Sequence, residues 1–311
     1  MPFVRGMELP VEFPSQGATL RGRLFLPVAR AHRPAVIIMA HGYSATADGM
    51  VADEYAVAFR DAGLAALLYD HRNFGRSGGE PRQQIDNWLQ VIGYRDAIDF
   101  VTTLDEVDAS RLAVWGESKS GGGVLVAAAF DRRITAVVTQ VPACGDTPPP
   151  PDPVDAVLDV MAGVYANAGL RPPTEVVEGP MPVVAADQLA NPSALTPLTA
   201  FRWFMEYGSR YGTGWQNWVT EISRDRSDPY QPVLCAARVR VPSLFVVATD
   251  DEMPGASSAV SRLAFDLVPG PKELLEVDGG HFGLLYHPGA LFDLASRAES
   301  DFLIRHLDSA A

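Results

Sequence analysis

Arg111-Leu112-Ala113-Val114-Trp115-Gly116-Glu117-Ser118-Lys119-Ser120-Gly121-Gly122 opens as an apolar strand pattern and passes, without a linker, into small residues that start a helix near Ser118. A strand that turns this sharply into a helix strains its backbone and brings neighbouring chains close. Glycine two positions before the serine, and small residues after it, are what such a turn tolerates. The turn leaves one hydroxyl exposed at the end of a sheet. Behind it stands a helix N-terminus, whose N–H groups and dipole face any developing negative charge. The stretch departs from G-x-S-x-G at its last position, where Ser120 stands and Gly121 follows one residue late. Alone, it also fits a glycine-rich strand–helix turn with no chemistry.

A nucleophilic serine needs a base, and the base needs an orienting carboxylate. With a serine elbow the chain order is Ser, then Asp or Glu, then His. Downstream, Val241–Ala248 reads as a buried strand, followed by the loop Thr249-Asp250-Asp251-Glu252-Met253-Pro254. A helical stretch, about Ser257 to Val268, leads to a strand Glu273–Val277 and then to Asp278-Gly279-Gly280-His281-Phe282-Gly283. An acidic loop and a glycine-flanked histidine thus follow two successive strands, at the sheet edge expected for Ser118. Asp250 and Asp251 both suit the acid.

These motifs, with His41-Gly42-Tyr43 after the strand Ala35–Ala40 and Asp70-His71-Arg72-Asn73-Phe74-Gly75-Arg76-Ser77 after Leu64–Tyr69, resemble those of α/β-hydrolases. The resemblance covers roughly residues 10–145 and 232–308. It is nearest in pattern to bacterial serine esterases and to dienelactone-hydrolase-like and X-Pro-peptidase-like members. It implies Ser118 as nucleophile, His281 as base and Asp251 as orienting acid, because Asp-x-x-Pro matches the family's acid loop. It further implies an oxyanion hole from the Tyr43 and Lys119 N–H groups, with His41 shaping the loop. The activity implied is hydrolysis of a carboxylic ester through an acyl-enzyme, without metal or organic cofactor. The same constellation also serves amide, thioester and C–C bond hydrolases and acyltransferases. A different outcome is a non-catalytic small-molecule receptor on the same fold.

Composition sets outer bounds. With 311 residues, 47% of them hydrophobic, the chain can bury one large core. A net charge of −13 argues against nucleic acid, which demands clustered Lys and Arg. No apolar run reaches the ~18 residues of a membrane helix. The N-terminus lacks the basic start and apolar core of a signal peptide. Cys144 and Cys235 make no disulfide framework. The expectation is a cytoplasmic enzyme of a small-molecule substrate, with a homodimer left open. Only Lys119 and Lys272 among 25 basic side chains are lysines. The Lys119 ammonium could hold an anionic substrate group, or pair with Glu117 or another acid.

Strand and helix patterns alternate, predicting a mostly parallel, doubly wound α/β sheet with an N-terminal antiparallel hairpin, Glu12–Pro27, bent at Gly17 and Ala18. Helices are predicted over Asp86–Leu104, Gly121–Phe130 and Pro288–Leu307, and a buried strand over Ile134–Val141. The alternation stops at the proline run Pro148–Pro151. Residues 1–144 and 233–311 therefore read as the core. Residues 145–232 read as an inserted, mainly helical cap, with helical patterns at Val154–Ala168, Pro197–Tyr207 and Trp215–Ile222. Its aromatics Trp203, Phe204, Tyr207, Trp215 and Trp218 are candidates for an apolar pocket, against the plainer reading that most of them pack the cap onto the core.

Overall fold

The computed structural model describes residues 6–28, 32–149, 154–167, 175–224 and 229–307. Eight strands form one sheet, in the order β1 (Met7–Ser15), β2 (Ala18–Leu26), β4 (Ala65–Tyr69), β3 (Ala35–Ala40), β6 (Asp108–Glu117), β7 (Ala136–Gln140), β10 (Ser243–Ala248) and β11 (Lys272–Val277). The pairings β1–β2 and β2–β4 are antiparallel, and the rest are parallel. The N-terminal hairpin turns at Gln16 and Gly17, both at positive φ, and starts earlier than its sequence pattern suggests.

The inner strands are continuous apolar runs because both faces are covered. In β3, Ile37 and Met39 enter one hydrophobic cluster, and Val36, Ile38 and Ala40 enter the other. This is the period-2 alternation of a strand buried on both sides. Helices α1 (Ala52–Asp61) and α8 (Ala290–Leu307) cover the first face. Helices α2 (Asn87–Val101), α3 (Ser118–Phe130), the short α6 (Pro232–Cys235) and α7 (Ser258–Leu267) cover the second. Helix α2 begins where Asp86 accepts the N–H groups of Trp88 and Leu89, a side-chain cap at 2.9 and 3.1 Å. The parallel register brings Ala40, Glu117, Gln140, Ala248 and Val277 to one edge. The loops carrying His41, Ser118, Asp251 and His281 leave from that edge.

Between β7 and β10 the chain leaves the core. Of this excursion, residues 150–153, 168–174 and 225–228 lie outside the described residues, including Pro150, Pro151 and the Ala168 end of the first helical pattern. Helix α4 (Val154–Asn167) forms, but it packs Leu158, Met161, Val164 and Tyr165 into the α2/α3 side of the core. Helix α5 (Leu198–Tyr207) forms as its amphipathic spacing predicts.

The pattern at Trp215–Ile222 does not form a helix. Positive-φ glycines 212 and 214 precede an irregular stretch, and then β9 (Val219–Arg224). Strand β9 pairs antiparallel with β8 (Glu175–Met181) and parallel with β5 (Gln84–Asp86), the short strand leading into α2. This second, three-stranded sheet joins the excursion to the core by main-chain hydrogen bonds. The β-branched residues Val219, Thr220 and Ile222 favour it. The i, i+3, i+4, i+7 spacing of Trp215, Trp218, Val219 and Ile222 is overridden by pairing with distant strands.

Candidate active site

The turn after β6 places Ser118 at φ +54°, in the left-handed region that non-glycine residues rarely adopt. Such strain costs about 1–3 kcal/mol and persists only where the surroundings impose it. Here they do. A Cβ on Gly116 would stand 2.3 Å from the Ser120 carbonyl oxygen, and one on Gly122 would stand 2.3 Å from that of Ala143. Ser120, at the position where glycine was anticipated, has a task of its own. Its hydroxyl donates to the His41 carbonyl at 2.6 Å and meets His71 Nε2 at 2.8 Å. It thereby fastens the elbow to the loop after β3.

That loop is fixed from several sides. His41 is buried, and burial pushes its pKa down to about 4, so the ring is neutral. Its Nε2 accepts the His71 N–H at 3.2 Å, which leaves Nδ1 to donate to the Gly42 carbonyl at 3.0 Å. Glu117 Oε1 accepts the Gly42 N–H at 3.1 Å from below. Burial pushes the Glu117 carboxyl up to about 8, against the lowering effect of that N–H. Among the described residues, the backbone N–H groups of Tyr43 and Lys119 donate to no acceptor. A Cβ on Gly42 would stand 3.1 Å from Ser118 Cβ, so the loop passes hard against the elbow.

On the facing loops, His281 Nδ1 lies 2.7 Å from Asp251 Oδ2, and both side chains are 2% exposed. Asp251 Oδ1 accepts the Met253 N–H at 3.0 Å, which fixes the carboxylate. Asp250 is exposed, and its carboxylate accepts the Thr249 hydroxyl at 3.3 Å. Glu252 ties the two loops together by accepting the His281 N–H at 2.9 Å and the Thr199 hydroxyl of α5. A Cβ on Gly280 would collide with this carboxylate. Ser118 and His281 line one cavity of about 620 Å³. Among the described residues no hydrogen bond joins them, and in free enzymes such bonds are often long and tighten when substrate binds.

The excursion supplies part of the cavity wall: Met181, Ala194, Leu195, Trp203 and Phe204 are apolar, and Glu178 and Glu221 are acidic. Three of the five aromatics singled out in the sequence are not in that wall. Tyr207 stacks behind Trp203 at 5.4 Å, and its hydroxyl is taken by the His287 backbone. Trp215 stacks behind Phe204 at 5.4 Å, held there by the close approach of Gly208. Trp218 is 37% exposed and bonds Gln216. It falls outside because residue 218 precedes a strand, not the inner face of a helix. Trp203 also braces the histidine turn, donating to the Leu285 carbonyl at 2.7 Å and stacking on Phe282 at 5.1 Å.

Lys119 pairs with Glu221 at 3.0 Å, not with Glu117. The Lys119 ammonium is thus paired with an acid of the excursion, and Glu178 also lines the cavity. Neither glutamate stood out in the sequence. Only the β-branched character of Val219-Thr220-Glu221-Ile222 hinted that residue 221 lies in a strand. Among the described residues no cluster of His, Cys, Asp and Glu fits a metal ion, and no helix is long and apolar enough to cross a membrane.

Residues 31–206 match the family described as serine aminopeptidase, S33. The chain is 31% identical over 293 residues to polyketide transferase claH of Penicillium crustosum, covering 90% of this chain and 92% of that one. It is 29% identical over 301 residues to thiohydrolase aneE of Aspergillus aculeatus, covering 92% and 89%. The crystal structure of the α/β-hydrolase GrgF from a Penicillium species superimposes with a TM-score of 0.71 at 25% identity, covering 97% and 99%. The fold, the extent of the family match and the near full-length relatives agree, and the chain belongs to the serine aminopeptidase S33 family of α/β-hydrolases.

Proposed function

We propose that this chain is a serine hydrolase that opens a compact, partly apolar carboxylic ester through an acyl-enzyme on Ser118. The observation that carries this reading is a juxtaposition in one cavity. A serine held at positive φ, a histidine bonded to a buried aspartate, and two backbone N–H groups without acceptors among the described residues all converge there.

In this mechanism His281 Nε2 takes the Ser118 proton as Oγ attacks the substrate carbonyl. The Asp251 carboxylate keeps the Nδ1 proton in place and stabilises the imidazolium. The Tyr43 and Lys119 N–H groups receive the developing oxyanion, and losing one such donor typically costs ~10²–10³ in rate. His281 returns its proton to the leaving oxygen, then deprotonates the water that releases the acyl group. Within residues 145–232, α4 packs on the core and the part from Glu178 to Glu221 acts as a cap, in which Met181, Leu195, Trp203 and Phe204 give an apolar wall for the acyl chain.

A second reading is supported by the names of the relatives, a thiohydrolase and a polyketide transferase. It has the same acyl-enzyme formed from a thioester and passed to water or to an alcohol. A panel of p-nitrophenyl esters of rising chain length, run beside the matching acyl thioesters with and without added alcohol, separates the two. Turnover of esters but not thioesters supports the first. Faster thioester turnover, with product partitioning to the alcohol, replaces it with the second. No turnover of either, with tight ligand binding, removes both.

A further inference from the structure

The two residues whose backbone N–H groups face the reaction bring their side chains to a single carboxylate. Lys119 Nζ lies 3.0 Å from Glu221 Oε1, and the Tyr43 hydroxyl donates to Glu221 Oε2 at 3.5 Å. Lys119 Nζ also sits over the Tyr43 ring, 5.2 Å from its centroid. Glu221 belongs to neither loop. It stands 102 positions beyond Lys119, in β9, the middle strand of the second sheet. There it is in register with Ile85 of β5 on one side and with Glu178 of β8 on the other. Like charges directly opposed across two strands destabilise the pair. The sheet itself therefore has no use for a carboxylate at this position. The groups that use it are Lys119 and Tyr43.

We propose that Glu221 is a positioning residue for the oxyanion hole: by gripping Tyr43 and Lys119 together, it makes the spacing of their N–H groups depend on the seating of the inserted sheet. The proposal rests on the assignment of Ser118, Tyr43 and Lys119 given above. The loop His41–Tyr43 is then fixed from two directions. Glu117 and Ser120 hold it from the core, through the Gly42 N–H and the His41 carbonyl. Glu221 holds it from the excursion. The Glu221 and Lys119 side chains are 33% and 17% exposed, so the pair adds little to folding stability. Its effect is geometric, because the benefit of a preorganised donor falls steeply when it is displaced.

The test uses the full chain with Glu221→Ala, Glu221→Gln, Tyr43→Phe, Lys119→Met and the double change Glu221→Ala/Lys119→Met. Four quantities are read: kcat and KM on a p-nitrophenyl ester, the rate of phosphonylation of Ser118 by a fluorophosphonate, the affinity for a trifluoromethyl ketone, and the thermal midpoint. Glu221→Ala should lower kcat, the phosphonylation rate and ketone affinity together, by roughly 10- to 100-fold. KM should stay within about threefold and the midpoint should hardly move. Glu221→Gln keeps one acceptor oxygen and should fall between. The double change should lose no more than Glu221→Ala alone, because both substitutions break one assembly.

Unchanged kcat and phosphonylation in Glu221→Ala overturn the proposal. So does a rise confined to KM, which makes Glu221 a substrate contact, and so do additive losses in the double change. If the alanine variant does not fold, Glu221→Gln and Tyr43→Phe carry the same comparison. The underlying reading fails separately, when Ser118→Ala keeps its turnover. The proposal fails by itself when Ser118→Ala is inactive and Glu221→Ala is normal.

Discussion

Asp251→Asn changes one atom of a side chain that is 2% exposed and already committed at both ends. Oδ1 accepts the Met253 N–H at 3.0 Å, and Oδ2 lies 2.7 Å from His281 Nδ1. The amide must keep its oxygen toward Met253, since turning it would set an NH₂ against an N–H. Its NH₂ then faces Nδ1, and the imidazole can accept that hydrogen bond only as the tautomer protonated at Nε2. That tautomer has no lone pair to offer Ser118. Losing the tautomer in a Ser-His-Asp constellation costs about 10⁴ in kcat, or about 5.4 kcal/mol of transition-state stabilisation at 1.36 kcal/mol per decade. Folding should be nearly unaffected, because the shape and one hydrogen bond are kept. The assay is kcat on the best ester of the panel, with Asp250→Asn in parallel. Asp250 is exposed, and its replacement should leave kcat within about twofold, as for surface changes in general. A comparable loss in both variants, or a larger one at Asp250, refutes the reasoning.

Trp203→Ala should destabilise by ~3–5 kcal/mol in denaturant unfolding, since the ring is buried between Tyr207 and Phe282 and its Nε1 holds the Leu285 carbonyl. Trp218→Ala, at an exposed position, should stay within about 0.5 kcal/mol and leave chain-length preference unchanged. Gly116→Ala would set a methyl 2.3 Å from the Ser120 carbonyl and should cost at least ~1–3 kcal/mol, with loss of Ser118 labelling in whatever folds. Glu117 titrates near 4.5 in ordinary surroundings and near 8 in the fold, so the folded state holds the extra proton between those values. Its contribution to stability is full below the lower value and is lost as pH rises toward the upper one. Glu117→Gln, which keeps the acceptor for Gly42, should therefore show a flatter decline in unfolding free energy from pH 5 to about 8 than the unmodified chain.

The elements that hold the candidate triad were legible because each carries its signal locally. Ser118, Asp251 and His281 follow short apolar runs and sit among glycines or three residues before a proline, and parallel strands bring such loops to one edge. The neighbours Asp250 and Asp251 could not be told apart by residue type. They differ in burial and in the Met253 N–H, which only the folded loop supplies. The same limit applies to β9. Its partners β5 and β8 lie far away in sequence, and the period read from Trp215 to Ile222 reflects a coincidence of apolar positions. A helical period over that stretch puts Trp218 on an inward face and gives Glu221 no special place, whereas strand β9 brings Glu221 to the cavity and leaves Trp218 exposed. Ser120 shows the reverse case. It stands where the motif has glycine, and its hydroxyl is a buried link between the elbow and the His41 loop.

The measurement that tests the central claim most directly is intact mass after treatment with a fluorophosphonate, followed by mapping of the modified peptide. The account predicts one adduct on the unmodified chain, located at Ser118, and none on Ser118→Ala, with ester turnover lost in step. An adduct on another serine, or turnover that survives in Ser118→Ala, contradicts it.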